Sequence, residues 1–231
     1  MKLLNHTKIQ EATESNLGYL EFLSLVIGDE ADKRSMNVLN RRMRSANFGE
    51  EKNFEQFDFR FNESEMSKST LRDLATCRFI DLKQNLILCG PPGIGKTHIA
   101  KAIGYEACKQ KYSVAFSKTH AFFKELGDST DKRKYEKVWK KYVYANLLIL
   151  DDFGFRKMTG MESELFYDLI DTRIGQNSTL ITSNRPITDW FQLFPEPVIA
   201  GAILDRLVSG SEKIIIQKAK SFRKEGTKKT A

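Results

Sequence analysis

Gly90-Pro91-Pro92-Gly93-Ile94-Gly95-Lys96-Thr97 fits the pattern G-x-x-x-x-G-K-S/T at every fixed position. Glycines there open backbone conformations closed to other residues, so successive amides can turn inward toward phosphate oxygens. Lys96 adds a point charge between the two outer phosphates of a nucleoside triphosphate, and the Thr97 hydroxyl suits a magnesium ion. The flanks agree with this reading. Leu86-Ile87-Leu88 reads as a buried strand, and Ile99 and Ile103 as one face of a following helix whose positive end meets the same anion. A plain glycine-rich turn would explain the glycines but not the Lys-Thr pair.

Leu147-Leu148-Ile149-Leu150-Asp151-Asp152 is a run of four apolar residues ending in two carboxylates. A buried strand that emerges at the ligand edge delivers such carboxylates to a bound nucleotide. Asp151 then suits Mg²⁺, and Asp152 suits orienting or activating the attacking water. These residues begin 55 positions after Lys96, which leaves room for one strand and its flanking helices. Thr182-Ser183-Asn184 ends another strand-like run. Asn184 reads equally as an amide that holds the lytic water or as part of a strand-end turn with Arg185 and Pro186. In Ala202-Ile203-Leu204-Asp205-Arg206-Leu207, the pattern by itself fits a surface ion pair or a DNA contact at Arg206 better than a finger reaching a neighbouring subunit.

Around these motifs, strands and helices alternate from about residue 70. The expected strands are 85–89, 113–117, 147–150, 179–183 and 213–217, and the expected helices 97–109, 121–126, 162–174 and 200–208. Five short strands with intervening helices make a three-layer α/β sandwich around a five-stranded parallel sheet. Ahead of it lies a small N-terminal helical region. Leu17, Leu20, Leu23 and Ile27 recur at helical spacing with Phe22 and Val26 beside them, and Ser15 and Asn16 suit the start of that helix. A second helix is expected from about Ser35 to Ala46. An aromatic segment follows, Phe54, Phe57, Phe59 and Phe61, in which the alternation at 57, 59 and 61 suggests extended chain, a strap laid on the main domain, which is expected to begin near residue 53.

The 231-residue chain carries a net charge of +7 at 41% hydrophobic content, which fits a globular protein with an acidic partner such as nucleic acid. The charge is clustered: five basic residues without an acidic one from Lys33 to Arg44, six basic residues from Lys132 to Lys141, and seven against one glutamate from Lys213 to Lys229. No apolar run is long enough to span a bilayer, and residues 1–10 lack a signal-peptide core, so a cytoplasmic location is expected. Cys77, Cys89 and Cys108 are spaced too widely for paired metal ligands and read as buried thiols. His6, His98 and His120 show no ligand-like pairing. Asp152-Phe153-Gly154 matches a tripeptide of protein kinases, but the catalytic-loop H-R-D is missing and the lysine sits in a phosphate loop.

Taken in order, these motifs resemble the IstB/DnaC-like branch of the AAA+ ATPases, and most closely its members that assist insertion-sequence transposition. Phe57-Asp58-Phe59, Gly90 to His98, Leu147 to Gly154, Thr182 to Pro186, Ala202 to Leu207 and Ser221-Phe222-Arg223 carry the resemblance. It implies an ATP and Mg²⁺ site with Walker A at Gly90 to Thr97 (and His98 beside it) and Walker B at Asp151 and Asp152. It also implies a sensor at Asn184 and an arginine finger acting in trans at Arg206. Double-stranded DNA, a transposase or a replicative helicase, and further copies of the chain would be its partners, with Arg41, Arg42 and Arg44 as candidate DNA contacts. The expected organisation is an N-terminal region at 1–52, an ATPase domain at 53–223 without a separate C-terminal lid, and a basic tail at 224–231. Two departures stand out. Many members carry Asp-Glu where this chain has Asp151-Asp152, and the N-terminal helical region is shorter than the resemblance leads one to expect. Arg223 fits a phosphate contact or a tail-to-domain contact equally.

Overall fold

The computed structural model describes residues 18–50, 52–57, 67–129, 131–216 and 221. Five strands form one all-parallel sheet: β1 (Leu86–Cys89), β2 (Val114–Lys118), β3 (Leu147–Phe153), β4 (Ser178–Ser183) and β5 (Glu212–Ile215), in the order β2-β3-β4-β1-β5. β1 and β4 are buried at every residue, and β3 at all but one, because helices cover both faces of a parallel sheet. Their sequences are therefore unbroken apolar runs rather than alternating ones. β5, on an edge, instead alternates between half-buried and exposed residues.

All five expected strands and all four expected helices are present, with ends displaced by a few residues at most. Those helices are α4 (Lys96–Lys109), α5 (Thr119–Gly127), α7 (Gly160–Arg173) and α8 (Pro197–Val208). Pro197 opens α8, where its missing N–H leaves no helical bond unmade. α7 begins with a reciprocal cap between Thr159 and Glu162. Two short helices, α2 (Lys68–Ala75) and α3 (Arg78–Asp81), and the basic helix α6 (Lys132–Val143) were not expected from the sequence. A 3₁₀ helix at Ile187–Leu193 follows β4.

The N-terminal expectation of two helices is corrected. A single helix, α1, runs from Tyr19 to Ala46. Gly28 lies in its interior, but one glycine costs only about 1 kcal/mol and no proline interrupts the run. The chain divides into two compact units, Met1–Arg42 and Met43–Ala231, and the division falls inside α1. Leu20, Leu23 and Ile27 of the expected apolar stripe are all exposed on α1. Leu17 and the expected caps Ser15 and Asn16 lie outside the described residues, as do Phe59 and Phe61. Residues 54–57 form a turn, closed by a bond from the Phe57 N–H to the Phe54 carbonyl, and the extended chain expected from the alternation at 57, 59 and 61 falls beyond Phe57, outside the described residues. Among the described residues no helix is long and apolar enough to cross a membrane.

One buried cation helps to fix the sheet to its helices. Arg173, at the end of α7, is 1% exposed and has no carboxylate partner among the described residues. It donates to the carbonyls of Tyr142, Val143, Ala145 and Ser178 and to the Thr179 hydroxyl, so one guanidinium satisfies the end of α6 and the start of β4. Burial pushes its pKa down to about 9, and the five acceptors offset the cost of keeping the charge inside. Arg173→Met removes the donor from all five acceptors, of which the Val143 carbonyl keeps a bond from Asn177 Nδ2 at 3.4 Å. The expected loss is about 3 kcal/mol or more, a fall of roughly 6–12 °C in the melting temperature for a chain of this size. A melting curve that matched the parent would refute this account of Arg173.

Candidate functional site

The strand order brings the carboxyl ends of β3, β4 and β1 together, and Lys96, Thr97, Asp151, Asp152 and Asn184 are found there. The loop after β1 runs into α4, whose N-terminal cap is Gly95 in a left-handed conformation, φ 94°. The loop is also tightly covered. A Cβ at Gly93, φ 83°, would come within 2.2 Å of Ser221 Oγ, and one at Gly95 within 3.0 Å of the Phe57 ring. Both positions therefore need glycine twice over, for backbone angle and for clearance.

Lys96 is buried, and its ammonium donates to the Gly90 carbonyl at 2.8 Å, the Pro91 carbonyl at 2.7 Å and Asn184 Oδ1 at 2.6 Å. Asn184, which the sequence left open between a turn residue and a working amide, thus shares a hydrogen bond with the loop lysine. A phosphate arriving in the loop would exchange one of these neutral acceptors for a charged one, a stronger partner for an ammonium.

Thr97 begins the first turn of α4, and its hydroxyl donates to Asp151 at 2.9 Å and 3.1 Å, one distance to each carboxylate oxygen. Asp151 is 1% exposed and accepts a second hydroxyl from Thr182 of β4, at 2.6 Å. The Thr182 oxygen in turn accepts the Asp152 N–H at 3.1 Å. Hydroxyl and carboxylate oxygens are hard ligands, and a magnesium ion bound with a nucleotide takes only one or two from the protein. Thr97 and Asp151 fit that donor set. Among the described residues no group of three or more His, Cys, Asp or Glu suits a metal held by protein ligands alone.

Asp152 departs from regular strand geometry. The pairing of β3 with β4 shifts register between Leu150 and Phe153, and Asp152 lies in that irregularity with φ 57°. Such a bulge re-aims a side chain. Its carboxylate meets Lys118 Nζ at 3.1 Å, across from the end of β2, where Lys118 pairs in register with Asp151. Asp152 also borders a shallow groove with Thr119, His120, Phe123 and Phe155 along its wall. His98, the residue after Thr97, bonds through Nε2 to the Asn53 carbonyl at 2.8 Å, and its ring lies 5.3 Å from that of Phe57, edge to face. A carbonyl only accepts, so the proton is on Nε2, and His98 ties residues 53–57 to the start of α4.

Arg206 is not brought to this cluster within one chain. It projects from α8 onto α7, where its Nε donates to Asp171 at 2.9 Å. Arg41 and Arg44 are exposed near the end of α1 and Arg42 is half-buried. Arg223 lies outside the described residues. All three cysteines are buried and unpaired by disulfides, and burial raises the thiol of Cys89, next to the loop, to about 11. It stays protonated and unreactive.

Lys118, Thr182 and Asp171 were missed as partners of the singled-out residues. Thr182 could be read as one residue of a polar strand end, but its bond to Asp151 follows from β3 and β4 being neighbours. The same is true of Lys118, whose place opposite Asp151 depends on β2 pairing with β3. No local pattern in the sequence carries that information.

A family model for IstB-like ATP-binding proteins matches residues 3–230. An ATP-binding protein of an insertion sequence in Mycobacterium tuberculosis is 37% identical over 90% of this chain and 83% of its own length. The corresponding protein of insertion sequence IS21 in Pseudomonas aeruginosa is 34% identical, over 93% of this chain and 80% of its own. Among solved structures, AMPPCP-bound DnaA from Aquifex aeolicus superposes with a TM-score of 0.61 over 79% of this chain and 56% of that one, at 20% identity, a likeness of fold. The five-stranded parallel sheet has the AAA+ P-loop fold, and with the family match along almost its whole length the chain belongs to the IstB-like ATP-binding protein family.

Proposed function

We propose that this chain is an ATP-hydrolysing helper that assembles on double-stranded DNA in the cytoplasm and regulates the transposase of an insertion sequence. The observation that carries the reading is the convergence of Lys96, Thr97, Asp151 and Asn184 at the carboxyl edge of three adjacent strands. The relatives, named as ATP-binding proteins of insertion sequences, favour transposition over helicase loading as the setting.

In this reading Gly90, Pro91 and Pro92 shape the loop, the backbone N–H groups of Gly93, Ile94, Gly95, Lys96 and Thr97 cradle the phosphates, and the Lys96 ammonium neutralises the outer two. Thr97 and Asp151 would hold Mg²⁺, which when bound would neutralise charge on the phosphoryl oxygens. Asp152 leaves its ion pair with Lys118 to orient the attacking water, and Asn184 fixes that water from the far side. The pair is half-exposed, so opening it costs little. Arg206 acts on the site of a neighbouring copy. Residues 1–52 provide partner and DNA contacts, 53–223 the ATPase, and 224–231 a basic tail.

The division of labour between copies has a direct test. Arg206→Ala should bind ATP like the parent and lose about a thousandfold in turnover. Lys96→Ala should fail to bind ATP. Each mutant has what the other lacks, so mixing them on DNA should restore activity wherever an intact loop faces an intact Arg206. No recovery in mixtures shown to co-assemble would mean that Arg206 works within its own chain or not at all in catalysis.

DNA binding through Arg41, Arg42 and Arg44 predicts a steep dependence of affinity on salt with little sequence preference. Each phosphate contact contributes about 0.9 to the slope of log affinity against log salt. Changing all three arginines to alanine should flatten that slope by up to about 3, and an unchanged slope would exclude them as the DNA surface. The transposition role makes a third demand. Strand transfer by the transposase of the same element should rise with added parent protein and ATP but not with Lys96→Ala. Equal stimulation by both would remove ATP from the regulatory step.

A further inference from the structure

Arg206 is held on several sides by one rigid helix and by its own backbone. Its Nε donates to Asp171 Oδ1 at 2.9 Å, Nη1 to the Ala202 carbonyl at 3.1 Å, and Nη2 to the Tyr167 hydroxyl at 3.4 Å. The guanidinium carbon lies 5.1 Å from the centre of the Tyr167 ring. Tyr167 and Asp171 are four residues apart on α7 and so stack on one face of it, a turn apart. α7 is itself fixed by its capped start and by Phe166, Leu169 and Ile170 in the core. The grip therefore comes from an element that does not move freely, unlike a loop.

A guanidinium has five N–H donors. Three are engaged within the chain and two remain, on a side chain that is 29% exposed. Asp205, the acidic neighbour in sequence, accepts from the Ser209 hydroxyl and is not a partner of Arg206. As a stabilising ion pair the contact with Asp171 would matter little, since Asp171 is 49% exposed. As a constraint on orientation it matters more. A long side chain that must reach another molecule loses its rotamer freedom on arrival, unless packing has already removed it.

We propose that Asp171 and Tyr167 are positioning residues that preset Arg206, so that its two remaining donors meet the outer phosphate of ATP bound by a neighbouring copy. This rests on Arg206 acting in trans, as proposed above. Asp171 holds the inner edge of the guanidinium through Nε, and the Tyr167 ring supports its face.

The test compares ATP turnover by the full chain assembled on DNA. Asp171→Ala should lower kcat about ten- to a hundredfold with the KM for ATP unchanged, because the P-loop that binds ATP is untouched. Asp171→Asn keeps an oxygen that can accept from Nε and should recover most of the turnover. In an Arg206→Ala background, Asp171→Ala should add no further loss, because the group it positions is gone. A parental kcat for Asp171→Ala beside an inactive Arg206→Ala would overturn the positioning role and leave the finger standing. An equal loss with and without Arg206 would also overturn it, since Asp171 would then act through the fold. Parental turnover by Arg206→Ala would sink the finger itself, and that result is read before any Asp171 variant is made. Should Asp171→Ala unfold, Tyr167→Leu carries the same expectation of a lowered kcat at unchanged KM, and a parental kcat there overturns the proposal.

Discussion

The site depends on one buried carboxylate. Asp151 has 1% of its surface exposed, and a carboxylate can occupy such a place only if donors surround it. Two hydroxyls do so, Thr97 from the first turn of α4 and Thr182 from β4. The requirement is therefore topological as well as chemical. Only because β4 lies between β3 and β1 can a residue of β4 and one just beyond the β1 loop reach the same oxygens. Loop, helix start and two strand ends are thus held in one register, and Lys96 and Asn184 fall within hydrogen-bonding distance as a consequence.

The second carboxylate follows a different rule. Where many members of the branch have glutamate, this chain has Asp152, one methylene shorter, in a bulge and at φ 57°. Left-handed backbone is several-fold richer in Asp and Asn than in other non-glycine residues, because a short polar side chain tolerates it. Glutamate gains no such local advantage. The aspartate is thus the residue that the local backbone accepts, and the bulge supplies the redirection that a longer side chain would otherwise provide by reach. Its ion pair with Lys118, on the neighbouring strand end, is the outcome of that redirection.

How much could be read in advance divides along the same line between local and non-local causes. Strands β1, β3 and β4 were legible because burial on both faces leaves an unbroken apolar run, as in Leu147 to Leu150. The phosphate loop was legible because its chemistry is contained in eight consecutive residues. α6 was not. Tyr135, Val138, Trp139 and Tyr142 have helical spacing, yet six basic residues among them made the stretch read as a charge cluster. In the structure Tyr135 and Trp139 stack one turn apart, with ring planes 8° from parallel, while Val138 and Tyr142 enter the core. α1 was expected as two helices, one carrying Leu17 to Ile27 and one from about Ser35 to Ala46, although no proline between them stops a helix. The turn at 54–57 had no signal in the aromatic spacing: the Asn53 and Gln56 side chains bond to each other's backbone and close it, a contact between polar residues that a pattern of phenylalanines does not carry.

Arg206 shows why a residue that works between molecules is the hardest to read. Sequence pattern favoured an ion pair at the surface, and the ion pair with Asp171 is there. The resemblance favoured a finger, and the ion pair does not argue against it. Both fit because a guanidinium is planar and has donors on three edges, so an edge held by its own chain leaves another to present outward. For lysine the two readings would compete, since a compact ammonium turned toward one carboxylate has no fixed second edge to offer. A pairing seen within one chain is thus evidence about the orientation of an arginine before it is evidence about its role, and at position 206 the orientation is set by α7, from the same chain, rather than by the phosphate loop.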